Sequence, residues 1–124
     1  MNILLISLGG ALGAISRYFI MSLVGHFTTS HFPYATIVVN VSGSFLLGIT
    51  VTLLSKYLPA HANEFRLFIV IGFFGAFTTF STFSLDTVTL LEEGVFWTAI
   101  IYGLLSIMLG IFGLFSGLYL ARFF

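Results

Sequence analysis

Charge and cysteine are what this sequence has least of. Only 6% of its 124 residues are Asp, Glu, Lys or Arg, whereas soluble domains carry about 25%. There is no cysteine, which excludes disulfides, thiol chemistry and thiolate metal sites. The four basic and four acidic side chains balance to a net charge of zero. Nucleic-acid binding requires a basic face, so no nucleic-acid partner is expected.

Apolar residues are what the sequence has in abundance, at 59% of the chain. A transmembrane helix needs about 20 mainly apolar residues. Four such runs are predicted, at roughly 3–24, 34–57, 67–91 and 95–121. Residues 1–124 are therefore interpreted as one all-α, four-helix transmembrane domain in a lipid membrane. The first residues lack the basic region of a signal peptide, so the first run is expected to be a retained span.

The basic residues give a weak indication of orientation. Lys56, Arg66 and Arg122 fall on the side of both termini, which the positive-inside rule makes cytoplasmic. Arg17 lies in the first span, nearer its opposite end. This weak bias is compatible with insertion in both orientations.

Small residues predict where helices approach closely in lipid. In the first span, Gly9 and Gly13 are one turn apart. The fourth span carries a similar stripe, made of Ser106, Gly110, Gly113 and Gly117. Both stripes are interpreted as helix contacts.

Polar residues inside the spans are candidate functional residues, because unpaired polar groups are costly in hydrocarbon. Arg17 could attract anions to a vestibule, or anchor the helix at the interface beside Tyr18. Asn40 offers N–H donors to a dehydrated anion, with Ser44 on the same helix face. Its alternative is an interhelical hydrogen bond.

The middle of the third span is the most unusual segment. Residues 72–84 read GFFGAFTTFSTFS, which combines two glycines with a cluster of hydroxyl side chains. This composition predicts a broken helix whose freed carbonyls could bind a small cation. Phe80 and Phe83 share a face, and the positive edges of their rings could stabilise an anion. Simple packing is the alternative for both rings.

Tyr102 and Ser106 place two hydroxyls on one face of the fourth span. The pair could form a polar track for ions, or two satisfied hydroxyls in the bundle.

Three motifs carry a resemblance to a known family. They are GGxxGAxxRY ending at Tyr18, VNxxGSF over residues 39–45, and GxxTTFSTF over residues 75–83. In these motifs, and along all four spans, the chain resembles the Fluc/CrcB family of fluoride channels.

The resemblance implies a specific architecture and set of site residues. Members form antiparallel, dual-topology homodimers with two fluoride pores and a central structural sodium ion. The third helix would be broken at mid-membrane, and the carbonyls of Gly75 and Thr78 would bind the sodium. The residues implied or expected along the fluoride path are Asn40, Ser44, Phe80, Ser81, Thr82, Phe83, Tyr102 and Ser106, with Arg17 in a vestibule.

The expected function is passive export of fluoride across the bacterial plasma (inner) membrane, which lowers fluoride toxicity. The main alternative is a small proton-coupled multidrug-type exporter, which needs an embedded carboxylate. Asp86 lies toward the end of the third span, past the predicted break, and supports this poorly. A non-conducting assembly subunit is a second alternative. An enzyme is not expected, because the sequence suggests no nucleophile–base pair or metal cluster.

Overall fold

The structure is a computed structural model that describes residues 1–28 and 30–124. Thr29, in the first loop of the sequence, lies outside the described residues. Every regular element of the described residues is helical. The α-helices are α1 (Asn2–Phe27), α2 (Tyr34–Tyr57), α3 (Ala62–Phe65), α4 (Gly75–Phe77), α5 (Phe80–Glu92) and α6 (Phe96–Leu120). A π-helical segment (Arg66–Phe74) joins α3 to α4, and short 3₁₀ turns form at Pro59–His61 and Ala121–Phe123.

Four helical stretches are long and apolar enough to cross a membrane. They are Asn2–Phe27, Tyr34–Tyr57, Pro59–Glu92 and Phe96–Phe123. The predicted all-α architecture with four membrane-capable helices is confirmed. The helical stretches extend beyond the predicted span ends, most clearly before residue 67. Hydropathy identifies the apolar part of a span, whereas helical hydrogen bonds continue through polar residues.

The first helix packs backbone to backbone against the π-helical segment. A Cβ atom added to Gly9 would overlap the Phe68 carbonyl, and one added to Gly13 would overlap the Phe73 carbonyl. From the other side, a Cβ on Gly72 would lie 2.8 Å from the Ile6 carbonyl oxygen. The glycines of α1 thus make this close contact possible.

The second helix packs along α6 in the same manner. A Cβ on Gly117 would overlap the Phe45 carbonyl, and one on Gly113 would lie 3.1 Å from the Val41 carbonyl oxygen. The predicted contact role is therefore confirmed for these two glycines, as it is for Gly9 and Gly13.

The connection between α5 and α6 is a tight turn. Gly94 adopts a left-handed φ of 76°, which glycine tolerates without steric cost. Its N–H donates to the Leu91 carbonyl at 3.1 Å, and the Val95 N–H donates to the Leu90 carbonyl at 3.1 Å. This pattern is a Schellman motif, which satisfies the last carbonyls of α5.

Two residues with extended backbone separate α4 from α5. Thr78 has φ −77° and ψ 155°, and Thr79 has φ −148° and ψ 114°. The last helical hydrogen bond before the break runs from the Thr78 N–H to the Phe74 carbonyl at 3.0 Å, and α5 begins at Phe80. We call Thr78 and Thr79 the α4–α5 junction.

Candidate functional site

A cavity of about 270 Å³ lies beside the α4–α5 junction. Residues of α2, α5, α6 and the junction itself form its wall. The lining residues are Asn40, Ser44, Leu47, Thr78, Thr79, Phe80, Phe83, Ser106 and Ile107. All nine are uncharged, so the cavity combines hydroxyl and amide groups with aromatic and aliphatic surface.

The Asn40 side chain binds the main chain of the junction with both ends of its amide. Its Oδ1 accepts from the Thr79 N–H at 2.7 Å, and its Nδ2 donates to the Thr79 carbonyl at 3.0 Å. Because an amide nitrogen carries two hydrogens, this arrangement uses one and leaves the other for a ligand. Asn40 therefore makes the interhelical bond that the sequence offered as an alternative, and retains a donor beside the cavity.

The Thr79 hydroxyl lies at the centre of a small polar network at the start of α5. It accepts from the Thr82 N–H at 3.1 Å, as the N-cap of the helix. It donates to the Thr82 hydroxyl at 3.0 Å and lies 3.2 Å from the Ser81 hydroxyl. Only 6% of Thr79 is exposed. Ser81 and Thr82 are thus connected to the cavity through Thr79.

Ser106 lines the cavity, and its hydroxyl has no protein partner among the described residues. Its oxygen is buried, and no other described residue satisfies it. Ser44 lines the same cavity from α2. Buried polar atoms usually have a hydrogen-bond partner, so the Ser106 hydroxyl is a candidate to bond water or a polar ligand beside the cavity.

Aromatic rings extend from the cavity towards the α1–α2 loop. The ring centroids of Phe80 and Phe83 lie 5.5 Å apart, and those of Phe83 and Tyr102 lie 5.4 Å apart. Phe32, in the loop, packs edge-on against Tyr102 at 5.8 Å. Phe80 is 79% exposed in the single chain, so its ring is available to a ligand or to a second protein surface.

Asp86 and Thr36 form a polar contact that the sequence did not predict as part of the site. The Asp86 carboxylate accepts from the Thr36 hydroxyl at 2.7 Å and from the Tyr102 hydroxyl at 3.0 Å. Thr36 and Tyr102 are both buried. The Tyr102 hydroxyl is therefore directed at Asp86, and Tyr102 meets the cavity-lining residues through Phe83. The sequence did contain a signal for this contact. Asp86 is an acidic residue in an apolar span, and such residues usually pair with other polar groups.

The residues singled out from the sequence occupy three kinds of position. Six of them line the cavity: Asn40, Ser44, Thr78, Phe80, Phe83 and Ser106. Ser81, Thr82 and Tyr102 lie next to lining residues. Arg17 is half-buried on α1 and does not line the cavity. Gly75 begins α4 and lies before the junction.

The junction also offers the oxygen ligands that a small cation would need. In a continuous α-helix the Thr79 N–H would bond to the Gly75 carbonyl, but here it donates to Asn40. This frees the Gly75 carbonyl from its helical partner. Neutral carbonyl oxygens are typical ligands of sodium at discontinuous membrane helices, so the donor set fits the sodium ion that the sequence resemblance implies.

Comparison with known proteins identifies the family. Residues 4–118 match the model of the family described as CrcB-like protein, Camphor Resistance (CrcB). A relative from Agrobacterium fabrum, named fluoride-specific ion channel FluC, is 43% identical over 98% of this chain and 96% of its own length. A relative from Nitrobacter hamburgensis, named fluoride-specific ion channel FluC 2, is 41% identical over 98% of both chains. A FluC protein from Ruminiclostridium cellulolyticum is 41% identical over 98% of this chain and 89% of its own. With its four membrane-capable helices and these matches along nearly its whole length, the chain is a multi-pass membrane protein of the CrcB family.

Proposed function

We propose that this protein is a fluoride channel that lets the anion leave the cytoplasm passively. Hydrogen fluoride enters a cell from an acidic medium and dissociates at the higher pH of the cytoplasm. The channel then releases the trapped anion. The relatives reported above are named fluoride-specific ion channels, which supports fluoride as the transported ion. A channel of this kind catalyses no reaction.

The uncharged polar cavity beside the α4–α5 junction is the observation that carries the proposal. Fluoride is small and strongly hydrated, so it needs substitutes for its water. The remaining Asn40 N–H, the unpartnered Ser106 hydroxyl and the edges of Phe80 and Phe83 can supply them. Ions must bind strongly enough to enter and weakly enough to leave. Neutral ligands suit this compromise.

We propose that two copies, inserted in opposite orientations, form the working channel in the bacterial plasma (inner) membrane. The large exposed fraction of Phe80 supports this, because its ring lies at the cavity and is left open in the single chain. A second copy packed against this face would shield both from lipid. In such a dimer the α4–α5 junction would lie near the middle of the membrane, where irregular backbone must be buried in protein or line a cavity.

We further propose that the carbonyls of Gly75 and Thr78 hold one structural sodium ion. The ion would supply a fixed positive charge that joins helix ends across the dimer. The diversion of the Thr79 N–H to Asn40 supports this role for Gly75. Arg17 is half-buried on α1, and we assign it to an outer vestibule, where its charge would raise the local anion concentration.

The proton-coupled exporter receives no support. Its mechanism needs a carboxylate that exchanges protons with a cationic substrate. Asp86 instead accepts two hydrogen bonds, from Thr36 and Tyr102, and it does not line the cavity. The relatives reported above are named as channels.

Efflux from liposomes that hold only this purified protein tests the proposal. Vesicles loaded with potassium fluoride should release fluoride when a potassium ionophore removes the electrical limit on anion loss. Matched vesicles loaded with potassium chloride should release much less anion. Fluoride release no faster than from protein-free vesicles would overturn the proposed function.

A further inference from the structure

Two main-chain N–H groups, one at the α4–α5 junction and one in the first turn of α5, donate to side chains and not to the carbonyls that a continuous helix would offer them. The Thr79 N–H donates to Asn40 Oδ1 at 2.7 Å, and the Thr82 N–H donates to the Thr79 hydroxyl at 3.1 Å. In a continuous α-helix each N–H bonds to the carbonyl four residues earlier. The acceptors bypassed here are therefore Gly75 and Thr78.

The same two carbonyls are the ones assigned above to the cation. In each case a side chain accepts the N–H that a continuous helix would give to that carbonyl. Gly75 is exposed and Thr78 is half-buried in the single chain, and hard cations bind oxygen ligands of this kind. The side chains that take the N–H groups therefore decide whether these oxygens are available.

The surface of α2 holds the junction in this conformation. Gly43 lies one turn beyond Asn40, and a Cβ there would lie 2.5 Å from the Thr78 Cγ2 atom and 3.0 Å from the Phe77 ring. Gly43 thus admits the Thr78 side chain while Asn40 binds the next residue. Thr78 is also anchored to the end of the π-helical segment, since its hydroxyl donates to the Phe74 carbonyl at 2.8 Å.

We propose that Asn40 and Thr79 are positioning residues that keep the Gly75 and Thr78 carbonyls free to bind a cation. Neither side chain needs to contact the carbonyl oxygens. Each acts indirectly, by accepting the N–H group that would otherwise donate to one of these oxygens. This inference rests on the proposed sodium site and adds the residues that create it. It also links the two ions, because Asn40 lines the anion cavity and controls a cation ligand with one amide group.

Sodium-dependent stability separates this role from simple helix capping. Purified protein in detergent is unfolded by heat across a series of sodium concentrations, with N-methylglucamine replacing sodium at constant ionic strength. Thr79→Val removes the hydroxyl and nearly keeps the shape. It should raise the sodium concentration for half-maximal stabilisation about tenfold, the change that about 1.4 kcal/mol of lost binding free energy produces.

Two variants provide the controls. Thr79→Ser keeps the oxygen that accepts from Thr82 and should keep the sodium response of the original protein. Thr87→Val removes another hydroxyl of α5, which donates to the Phe83 carbonyl at 2.8 Å and takes no N–H from a carbonyl. It should lower the unfolding temperature at all sodium concentrations equally, since it alters stability without altering the cation ligands.

The outcomes distinguish the two levels of the hypothesis. An original protein whose stability ignores sodium would remove the proposed cation site itself. A sodium response that is present in the original protein and unchanged in Thr79→Val would overturn the positioning role alone. Asn40→Leu gives a second arm if Thr79→Val does not fold, because it removes the acceptor for the Thr79 N–H and should weaken the response similarly. Loss of the response in Thr79→Ser would also contradict the inference.

Discussion

At the scale of single residues, the Asn40 amide can combine its observed bonds to Thr79 with the proposed contact to an anion. Its Oδ1 and one Nδ2 hydrogen hold the Thr79 main chain, and its second hydrogen remains beside the cavity. Replacing it therefore changes both the shape of the α4–α5 junction and the donors offered to an anion. Experiments on this residue must separate folding from conduction.

Asn40→Asp is expected to abolish most fluoride flux. It removes the amide donors and adds a negative charge where an anion would pass. Like charges about 4 Å apart repel by roughly 4 kcal/mol at an effective dielectric constant of about 20. Since about 1.4 kcal/mol of barrier is tenfold in rate, flux per folded dimer should fall by roughly three orders of magnitude.

Asn63→Asp is the matched control for added charge, because Asn63 is exposed in α3 and distant in sequence from the cavity-lining residues. It should conduct like the original protein. Liposome efflux, normalised to correctly folded dimer, measures both variants. Near-normal flux in a folded Asn40→Asp dimer would exclude Asn40 from the ion path.

Phe80→Ile and Phe83→Ile test the aromatic rings. Isoleucine keeps apolar bulk and removes the ring quadrupole, whose positive edge would face the anion. Both variants should form dimers and lose most fluoride flux in the same efflux measurement. Phe115→Ile changes a ring on α6 that is 67% exposed and outside the cavity, and it should retain flux. Equal flux in all three variants would assign the rings of Phe80 and Phe83 to packing.

At the scale of elements, two backbone contacts organise the bundle. The first joins α1 to the π-helical segment, and the second joins α2 to α6. In lipid, helix association depends on close packing rather than on a hydrophobic driving force between helices. Side chains added at these contacts should therefore be costly.

Gly117→Ala is expected to destabilise the α2–α6 contact, because its Cβ would overlap the Phe45 carbonyl. Overpacking of this kind typically costs about 1–3 kcal/mol. Gly103→Ala is the matched control on the same helix, since no atom lies within 4 Å of a Cβ there. Alanine in a helix is favoured over glycine by about 0.5–1 kcal/mol. In detergent, the unfolding temperature should therefore fall for Gly117→Ala and rise for Gly103→Ala. Equal shifts in the two variants would contradict the packing role of Gly117.

At the scale of the whole molecule, the single chain leaves one side of the cavity open. Phe80 is largely exposed beside a cavity whose wall includes the buried, unpartnered Ser106 hydroxyl. The sequence predicts that Lys56, Arg66 and Arg122 share one side of the membrane with both termini, and that Arg17 lies toward the other. This weak asymmetry is compatible with insertion in either orientation, as the proposed antiparallel pair requires.

Dual topology predicts that one engineered cysteine is labelled from both sides of the membrane. The chain has no native cysteine, so Glu93→Cys in the exposed α5–α6 turn would be its single thiol. A membrane-impermeant maleimide should label part of the protein in intact cells and the remainder after permeabilisation. Met108→Cys, within α6, should resist the reagent in both conditions. Complete labelling of Glu93→Cys in only one condition would exclude dual topology.

The sequence by itself determined the membrane class, the number of membrane-capable helices and the family. Each of these properties depends on residues within one segment, or on a sum over segments, and not on contacts between helices. A span of about 20 apolar residues satisfies its own backbone hydrogen bonds as a helix, and the glycine spacing reports close contacts through the helical repeat. The motifs around Asn40 and residues 75–83 carried the family resemblance, which the comparisons confirm.

Only the tertiary structure decided how the polar residues pair. Asn40 binds Thr79 across 39 positions, and Thr36 reaches Asp86 across 50. Such pairs depend on the rotation and relative depth of packed helices, which periodicity within one helix does not report. For the same reason the sequence left Asn40 with two alternatives, while the structure shows its hydrogen bonds to Thr79 and leaves one N–H for the proposed anion. A hydrophobic pattern specifies which face of a helix is buried. The partner of each buried polar group depends on how the neighbouring helix packs against that face.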